Sequence, residues 1–308
     1  MKVIYLNRIF KLRLKTTCVA IGIFDGVHRG HQYLIKQMLA CARRLKAKPI
    51  VITFFPHPAH VLRPELKLGY LVSLQERFRQ LDDLGVAICL VVRFDRSFAG
   101  MPPIKFIKDV LVKKLGVKAI FVGDQFCFGK DRSGDAALFQ KLAPQEGYEM
   151  HAVPGFKQGR EMISSMRIRK LIIEGKLNEA SRLLGRTVSI SGAVVKGSER
   201  GRSLGYPTAN VDYEEVILPP QGVYVVKVLL GKKEYPAVAN IGTRPSFEKE
   251  NSKLYLEVHI LDFSNNIYGK HIEVQFLKKI RNEKKFPTPQ KLIQQIQKDE
   301  AFARRYAL

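Results

Sequence analysis

Two histidines lie in the segment GIFDGVHRGH, residues 22–31, directly after a short apolar run. His28 and His31 are three residues apart, so at the start of a helix both imidazoles share one face beside the exposed backbone N–H groups. Such a group suits a triphosphate attacked at its α-phosphorus, because it stabilises charge on the phosphoryl oxygens without forming a covalent bond. A chance pairing and a metal site remain alternatives, although no third or fourth zinc ligand is obvious. The spaced glycines fit neither a Walker A loop nor GxGxxG: Gly22, Gly26 and Gly30.

Two later segments could bring polar residues to the same ligand. His57 and His60 repeat the three-residue spacing at the end of the next predicted strand, where a substrate contact and ordinary loop histidines explain them equally well. In ISSMRIRKL, residues 163–171, a serine can cap the following helix and two arginines fall in its first turn. Positive charge there opposes the helix dipole unless an anion binds, which favours a phosphate contact. The residues concerned are Ser164, Ser165, Arg167 and Arg169.

A second candidate site lies in KGSERGRSLGYPTAN, residues 196–210. Thr208 and Asn210 are two residues apart in an extended run and therefore face the same side. Their oxygens are hard ligands suited to Mg²⁺ held together with nucleotide phosphates, whereas a purely structural turn explains only the glycines. The glycines let backbone N–H groups approach an anion, and the basic side chains add charge. These residues are Gly197, Gly201, Gly205, Lys196, Arg200 and Arg202.

The order of apolar patterns predicts which elements hold these residues. Up to Leu184, short β-rich runs alternate with amphipathic helices, which predicts an α/β domain with a doubly wound parallel sheet. Such a sheet binds ligands beyond the carboxyl ends of its strands. From Gly185 onward, short alternating strands predict a small antiparallel β-barrel with a C-terminal helix beginning near Pro289. We therefore predict one domain over 1–184 and another over 185–308.

One strand of the predicted barrel carries a further candidate. In KLYLEVHIL, residues 253–261, Glu257 shares a face with Tyr255 and His259, opposite the apolar residues. By pattern alone this is a solvated strand glutamate.

Composition narrows the classes of protein and of partner. No apolar run approaches the roughly 20 residues that span a bilayer, and basic residues interrupt any signal-peptide core, so we expect no membrane partner. The net charge of +24 suits a nucleic acid, but the basic residues are spread along the chain without a nucleic-acid-binding motif. We favour a basic surface that attracts small anionic substrates. Four separated cysteines predict buried reduced thiols in a cytoplasmic protein, not disulfides or a zinc site: Cys18, Cys41, Cys89 and Cys127.

Motifs in both halves carry a family resemblance. In the first half, four motifs in this order and spacing resemble the adenylyltransferase half of bacterial riboflavin kinase/FAD synthetases, which are Rossmann-like HxGH nucleotidyltransferases: GIFDGVHRGH, TFFPHP, VGDQFCFGKDRSGD and ISSMRIR. The second half resembles the riboflavin kinase module over nearly its full length, in GRSLGYPTAN, PPQGVYVV, NIGTRPSF and the stretch from LEVHIL to RNEKKF.

The resemblance implies a function and a set of site residues. Riboflavin would be phosphorylated by ATP to FMN, and FMN would be adenylylated by a second ATP to FAD with release of pyrophosphate, both with Mg²⁺. ATP would lie at Gly22, Phe24, Asp25 and Gly26, with His28 and His31 at its phosphates and Ser164, Ser165 and Arg167 closing over them. In the second half, phosphates would meet Gly201, Arg202 and Gly205, the metal Thr208 and Asn210, and the flavin Arg281 and Phe286. Glu257 would take the proton from the ribityl 5′-hydroxyl.

Three positions depart from the family pattern and keep other functions open. Phe55, Gln125 and Met166 stand where an acidic residue, Asp or Asn, and Thr are common. A kinase whose first half has lost or changed its activity is therefore a second hypothesis. A basic nucleic-acid-binding protein, suggested only by charge, is a third. For the two-step enzyme we expect small-molecule partners (riboflavin, FMN and ATP) and no obligate protein partner.

Overall fold

The computed structural model describes residues 1–6, 13–66, 68–159, 161–197, 201, 204–243 and 254–307. Contacts divide the chain into two compact units. The first contains Met1–Gly69 and Leu74–Ser165, and the second contains Tyr70–Ser73 and Met166–Leu308. The functional boundary between residues 184 and 185 stays a prediction.

A six-stranded parallel sheet forms the centre of the first unit. Its strands are β1 (Lys2–Leu6), β2 (Thr17–Ile21), β3 (Lys48–Phe55), β4 (Ile88–Arg93), β5 (Val117–Gly123) and β6 (Glu149–Val153). They lie in the order β1-β4-β3-β2-β5-β6, so the chain leaves β2 toward β3 on one side and later returns to β5 on the other. This reversal creates the crevice in which open parallel sheets bind ligands. The predicted doubly wound sheet is confirmed.

Helices cover both faces of this sheet. Residues along β2 alternate between two buried clusters: Cys18 and Ala20 belong to one, and Val19 and Ile21 to the other. The first face is covered by α1 (Arg29–Arg44) and α3 (Leu74–Asp83), and the second by α6 (Ala136–Glu146) and by α5 (Pro103–Lys105), which continues as a π-helix over Phe106–Val112. Shorter elements are α2 (Pro58–Leu62), α4 (Arg96–Ala99), 3₁₀ turns at Pro64–Leu66 and Lys130–Arg132, and paired two-residue strands at Cys127–Phe128 with Gly134–Asp135 and at Lys157–Gln158 with Glu161–Met162.

A closed antiparallel barrel forms the centre of the second unit. Its strands are β7 (Ser189–Val195), β8 (Ala209–Asp212), β9 (Gly222–Leu230), β10 (Lys233–Thr243), β11 (Leu254–Ile260) and β12 (His271–Arg281). They close in the order β7-β8-β11-β10-β9-β12. The predicted barrel and its C-terminal helix are confirmed, the helix being α9 (Pro289–Ala307), whose Ala303 is buried against Val225 and Leu261.

Two helices at the start of the second unit precede the barrel. These are α7 (Ser165–Ile173) and α8 (Leu177–Leu184), which the sequence analysis placed at the end of the first domain. The backbone N–H of Val188, directly before β7, donates a hydrogen bond of 3.1 Å to the Ser181 hydroxyl of α8. This bond connects α8 to the start of the barrel. Within the residues described, no helix has both the length and the apolar character needed to cross a membrane.

Candidate active sites

The carboxyl ends of β2 and β5 open into a cavity of about 840 Å³ in the first unit. It lies at the reversal of strand order, where the parallel sheet leads us to expect a ligand. Its lining includes most of the residues predicted for ATP from the loop after β2, namely Gly22, Phe24, Asp25, His28 and His31. Residues after β5 and the helix-starting Ser165 complete the wall.

The loop between β2 and α1 makes a tight turn that places the histidines. Phe24 and Val27 adopt positive φ angles of 53° and 37°, and Gly26 has a φ of 80° that favours glycine. At Gly30, an added Cβ would approach the His28 ring to 3.2 Å, and at Gly22 it would approach the Phe24 ring to 3.1 Å. Side chains at either glycine would press on the aromatic residues that form the cavity wall.

His28 caps the helix that follows. Its Nδ1 accepts the backbone N–H of His31 at 3.3 Å, and its ring stacks on the His31 ring with centroids 3.6 Å apart and an angle of 16° between the planes. Because Nδ1 is the acceptor in this contact, the other ring nitrogen of His28, Nε2, is the one placed to donate. The first imidazole of the pair is therefore oriented as a hydrogen-bond donor by the helix start itself.

His31 is held neutral by its surroundings. Its ring packs edge-on against Phe24, with centroids 5.2 Å apart, and its buried Nδ1 has no hydrogen-bond partner among the described residues. Burial lowers the pKa of His31 well below its usual value of 6.5, and the nearby Arg77 guanidinium lowers it further. At neutral pH the second imidazole is thus a neutral polar group.

Arg77, which the sequence analysis did not select, supports this loop from α3. Its side chain is fully buried, and its Nη2 lies 3.7 Å from Oδ1 of the buried Asp25. Its Nη1 donates to the Ile23 carbonyl at 3.0 Å and to the Thr53 hydroxyl at 3.3 Å. Asp25, predicted to contact ATP, is thereby paired with an arginine inside the protein. An arginine on the apolar side of an amphipathic helix is the signal that could have revealed it.

Other residues predicted for this site differ in where they lie. The Ser165 hydroxyl donates to the Asp25 carbonyl at 3.0 Å, while Ser164 directly precedes α7 and is half-buried. Arg167 belongs to the second compact unit, so its predicted contact with ATP stays a prediction. His57 lines the cavity, whereas Nε2 of His60 contacts the Leu68 carbonyl at 2.5 Å. Gln125 also lines the cavity.

Three of the four cysteines are buried as predicted, and Cys127 is half-buried at the edge of the same cavity. Ligand atoms of Cys41, Glu149 and His151 lie within 4.8 Å of one another. The guanidinium of Arg44 contacts two members of this group: its Nη2 lies 2.5 Å from Glu149 Oε2 and 3.3 Å from Cys41 Sγ. Its guanidinium lowers the pKa of Glu149, and we assign the group to an ion pair.

Among the described residues of the second unit, two cavities of about 590 and 480 Å³ lie beside the predicted kinase residues. Thr208 and His259 line both of them. The larger cavity adds Gly197, Gly205 and Asn210, and the smaller one adds Gly201, Glu257, Arg281 and Phe286. Arg202 lies outside the described residues.

The predicted metal ligands and the predicted base meet on neighbouring strands. Asn210 of β8 pairs with Glu257 of β11 in the antiparallel ladder, and Asn210 is buried. A Cβ added at Gly197 would lie 2.0 Å from the Asn210 amide, so this glycine is required for the asparagine to fit. At Gly201, an added Cβ would lie 2.4 Å from the Tyr206 carbonyl, which closes the turn leading to Thr208.

Glu257 lies on the polar face of β11, as the sequence pattern predicted. Leu256, Val258 and Ile260 are buried on the opposite face. The neighbouring Tyr255 donates its hydroxyl to Glu283 at 3.2 Å. Burial raises the pKa of Tyr255 to about 12, and Glu283 and Glu257 contribute to the rise. The phenol of Tyr255 therefore stays protonated at neutral pH.

The predicted flavin residues lie beside α9. The guanidinium of Arg281 donates hydrogen bonds from Nε and Nη2 to Oδ2 of Asp299 on α9, at 3.0 and 2.8 Å. It also lies 5.8 Å from the centre of the Phe286 ring. Arg281 thus holds Phe286 and the helix together at the wall of the smaller cavity.

Comparisons with known proteins cover both halves of the chain. A family model described as FAD synthetase matches residues 11–167, and one described as riboflavin kinase matches residues 184–307. The bifunctional riboflavin kinase/FMN adenylyltransferase of Escherichia coli K12 is 43% identical over 94% of this chain and 92% of its own length. The protein of that description from Listeria monocytogenes is 37% identical over 94% of this chain and 91% of its own.

This chain belongs to the bifunctional riboflavin kinase/FMN adenylyltransferase family. A crystal structure described as a macrolide-efflux protein from Streptococcus pneumoniae has a TM-score of 0.87 and 31% identity, covering 99% of each chain. That likeness supports the fold of both units.

The oxygen donors of the second unit fit the divalent cation used in this family. Thr208 and Asn210, the predicted metal ligands, offer a hydroxyl and an amide oxygen, which are hard ligands of the type that Mg²⁺ prefers. The close fit of Gly197 against Asn210 leaves the amide no room to move away from this edge.

Removing Arg77 should destabilise the first unit. In Arg77→Met the buried Asp25 carboxylate loses its charged partner, which costs about 3–5 kcal/mol of unfolding free energy. The matched control is Arg44→Met, whose ion pair with Glu149 is solvent-exposed and should leave the unfolding midpoint nearly unchanged. Urea unfolding followed by far-UV circular dichroism measures both, and equal effects of the two substitutions would refute this account.

The neutral state of His31 should make the first unit sensitive to acid. Below pH 6.5 the unfolded chain binds a proton at this residue that the folded chain does not, so stability falls as pH falls, by up to about 1.4 kcal/mol per pH unit. His31→Phe keeps an aromatic ring without a titrating group and should lose less stability between pH 7 and pH 5. Urea unfolding at several pH values gives the two curves, and parallel curves would contradict the prediction.

Proposed function

We propose that this chain makes FMN in its second unit and FAD in its first. Riboflavin is phosphorylated by ATP, giving FMN and ADP, and FMN is then adenylylated by ATP, giving FAD and pyrophosphate. The proposal is supported by two separate groups of polar residues, each of a type suited to one of these steps, in a chain matched by both family models. The stacked histidine pair after β2 carries the adenylylation assignment, and the Asn210–Glu257 strand pair carries the kinase assignment.

In the kinase step, the smaller cavity takes riboflavin because it contains the base. Glu257 accepts the proton of the ribityl 5′-hydroxyl, whose oxygen then forms a bond to the γ-phosphorus as the bond to the β-phosphate oxygen breaks. The larger cavity takes ATP, with Gly197 and Gly205 beside its phosphates. Thr208 and Asn210 would hold Mg²⁺, which neutralises charge on the phosphate oxygens when bound.

In the adenylylation step, an oxygen of the FMN phosphate attacks the α-phosphorus of ATP, and pyrophosphate leaves. The hydrogen on His28 Nε2 is donated to a phosphoryl oxygen as charge develops there. His31 supports the orientation of His28 by stacking, and the start of α1 adds the partial positive charge of its N–H groups. No proton needs to leave the attacking phosphate, so the reaction needs a hydrogen-bond donor at this place and not a strong base.

Two substitutions should separate the activities. His28→Asn keeps a helix-capping side chain but loses the Nε2–H donor, so FAD formation should fall about 10²–10³-fold with FMN formation unchanged. Glu257→Gln keeps the shape of the kinase site but loses the base, so FMN formation from riboflavin should fall while FAD formation from supplied FMN persists.

Chromatographic separation of FMN and FAD after incubation with MgATP measures both activities. Wild-type protein that makes FMN but no FAD would favour a kinase with an inactive first unit, for which Gln125 in the cavity wall is a specific reason. A folded variant that lost both activities would overturn the assignment of two sites.

A further inference from the structure

The contacts of His259 connect three parts of the second unit: strand β11, the backbone just before Thr208, and helix α9. It lies on β11 two residues after Glu257 and on the same polar face. Its Nδ1 lies 2.8 Å from the carbonyl oxygen of Pro207, and its Nε2 lies 2.8 Å from Oε1 of Glu300 on α9. Its side chain is only 14% exposed, so losing either contact would leave a largely buried polar atom without a hydrogen bond.

The contact between His259 and Pro207 affects Thr208 because the two residues are adjacent in the chain. Pro207 directly precedes Thr208, and proline has no backbone N–H, so its carbonyl is the backbone group through which a neighbour can hold this residue. The Pro207 carbonyl can only accept, so Nδ1 of His259 is the donor. The ring of Tyr206 packs edge-on against the imidazole, with centroids 5.7 Å apart, which fixes the ring from a third side.

The second contact ties this arrangement to α9. Glu300 is 19% exposed and lies next to Asp299, which holds Arg281. The aspartate after β11, Asp262, pairs with Arg304 one turn further along the same helix. A carboxylate oxygen accepts hydrogen bonds, so Glu300 is the acceptor in its contact with Nε2.

Thr208 and His259 are also the two residues that line both cavities. From this geometry, and resting on the proposed kinase function, we infer that His259 is a positioning residue for phosphoryl transfer. It holds Pro207 and thereby sets the place of Thr208 in the wall between the ATP cavity and the riboflavin cavity. In this role the ring acts through the backbone that carries the threonine.

Two isosteric substitutions separate its two contacts. The amide nitrogen of asparagine ends near the place of Nδ1 and can still donate to Pro207, whereas that of glutamine ends near Nε2 and can reach only Glu300. We expect His259→Gln to lower kcat for FMN formation by about 10²-fold, the effect of misplacing a reacting group by about 1 Å. The KM for riboflavin should change much less, and His259→Asn should keep most of kcat.

A readout independent of catalysis uses hydrogen exchange. Without nucleotide or metal, backbone amides of residues 204–212 should exchange faster in His259→Gln than in wild-type protein or His259→Asn. FAD formation from supplied FMN should be unchanged in both variants, which controls for folding of the chain.

Equal losses of kcat in the two variants, or no loss in His259→Gln, would overturn the inference. Unchanged exchange in residues 204–212 of His259→Gln would also overturn it. A wild-type protein that forms no FMN would instead refute the proposed kinase function, so the two failures are distinguishable.

Discussion

A buried charge sets the geometry of the first unit. Arg77 has no exposed surface, and a guanidinium in such a place must meet acceptors or destabilise the fold. The acceptors lie at the end of β2 and in the loop after it: the Ile23 carbonyl and the Asp25 carboxylate, with the Thr53 hydroxyl from β3. Once these atoms are held, the turn through Gly26 and the start of α1 follow, and with them the stacked imidazoles.

The second unit positions its residues by a different device. In an antiparallel ladder the partner of each residue is fixed by register, so Asn210 and Glu257 meet because their strands pair there. Glycines at 197 and 201 then bring the neighbouring loop against these strands. A loop over a buried ion pair and a pair of neighbouring strands thus fix the polar side chains of the two units in different ways.

The sequence predicted the two kinds of fold because periodicity reports burial, and the alternation in KLYLEVHIL placed Glu257 on the correct face. Some strands have weak sequence patterns: Pro236 interrupts β10, and β1 and β6 are short or carry polar residues. Arg77 was missed because its importance depends on which loop packs over α3, a tertiary fact. Arg281 was expected at the flavin, and the structure shows in addition its pairing with Asp299, 18 residues away.

The compact units are not two uninterrupted stretches of chain. Tyr70–Ser73 belongs with the barrel unit although residues on both sides of it belong to the first. There the Tyr70 backbone accepts the N–H of Ile217 and donates to the carbonyl of Glu215, each at 2.9 Å. A fragment of residues 1–184, which ends at the boundary that the sequence suggests, would contain Tyr70 without Glu215 and Ile217, the partners of its backbone hydrogen bonds. The folded chain therefore cannot be divided at this boundary without breaking two backbone hydrogen bonds.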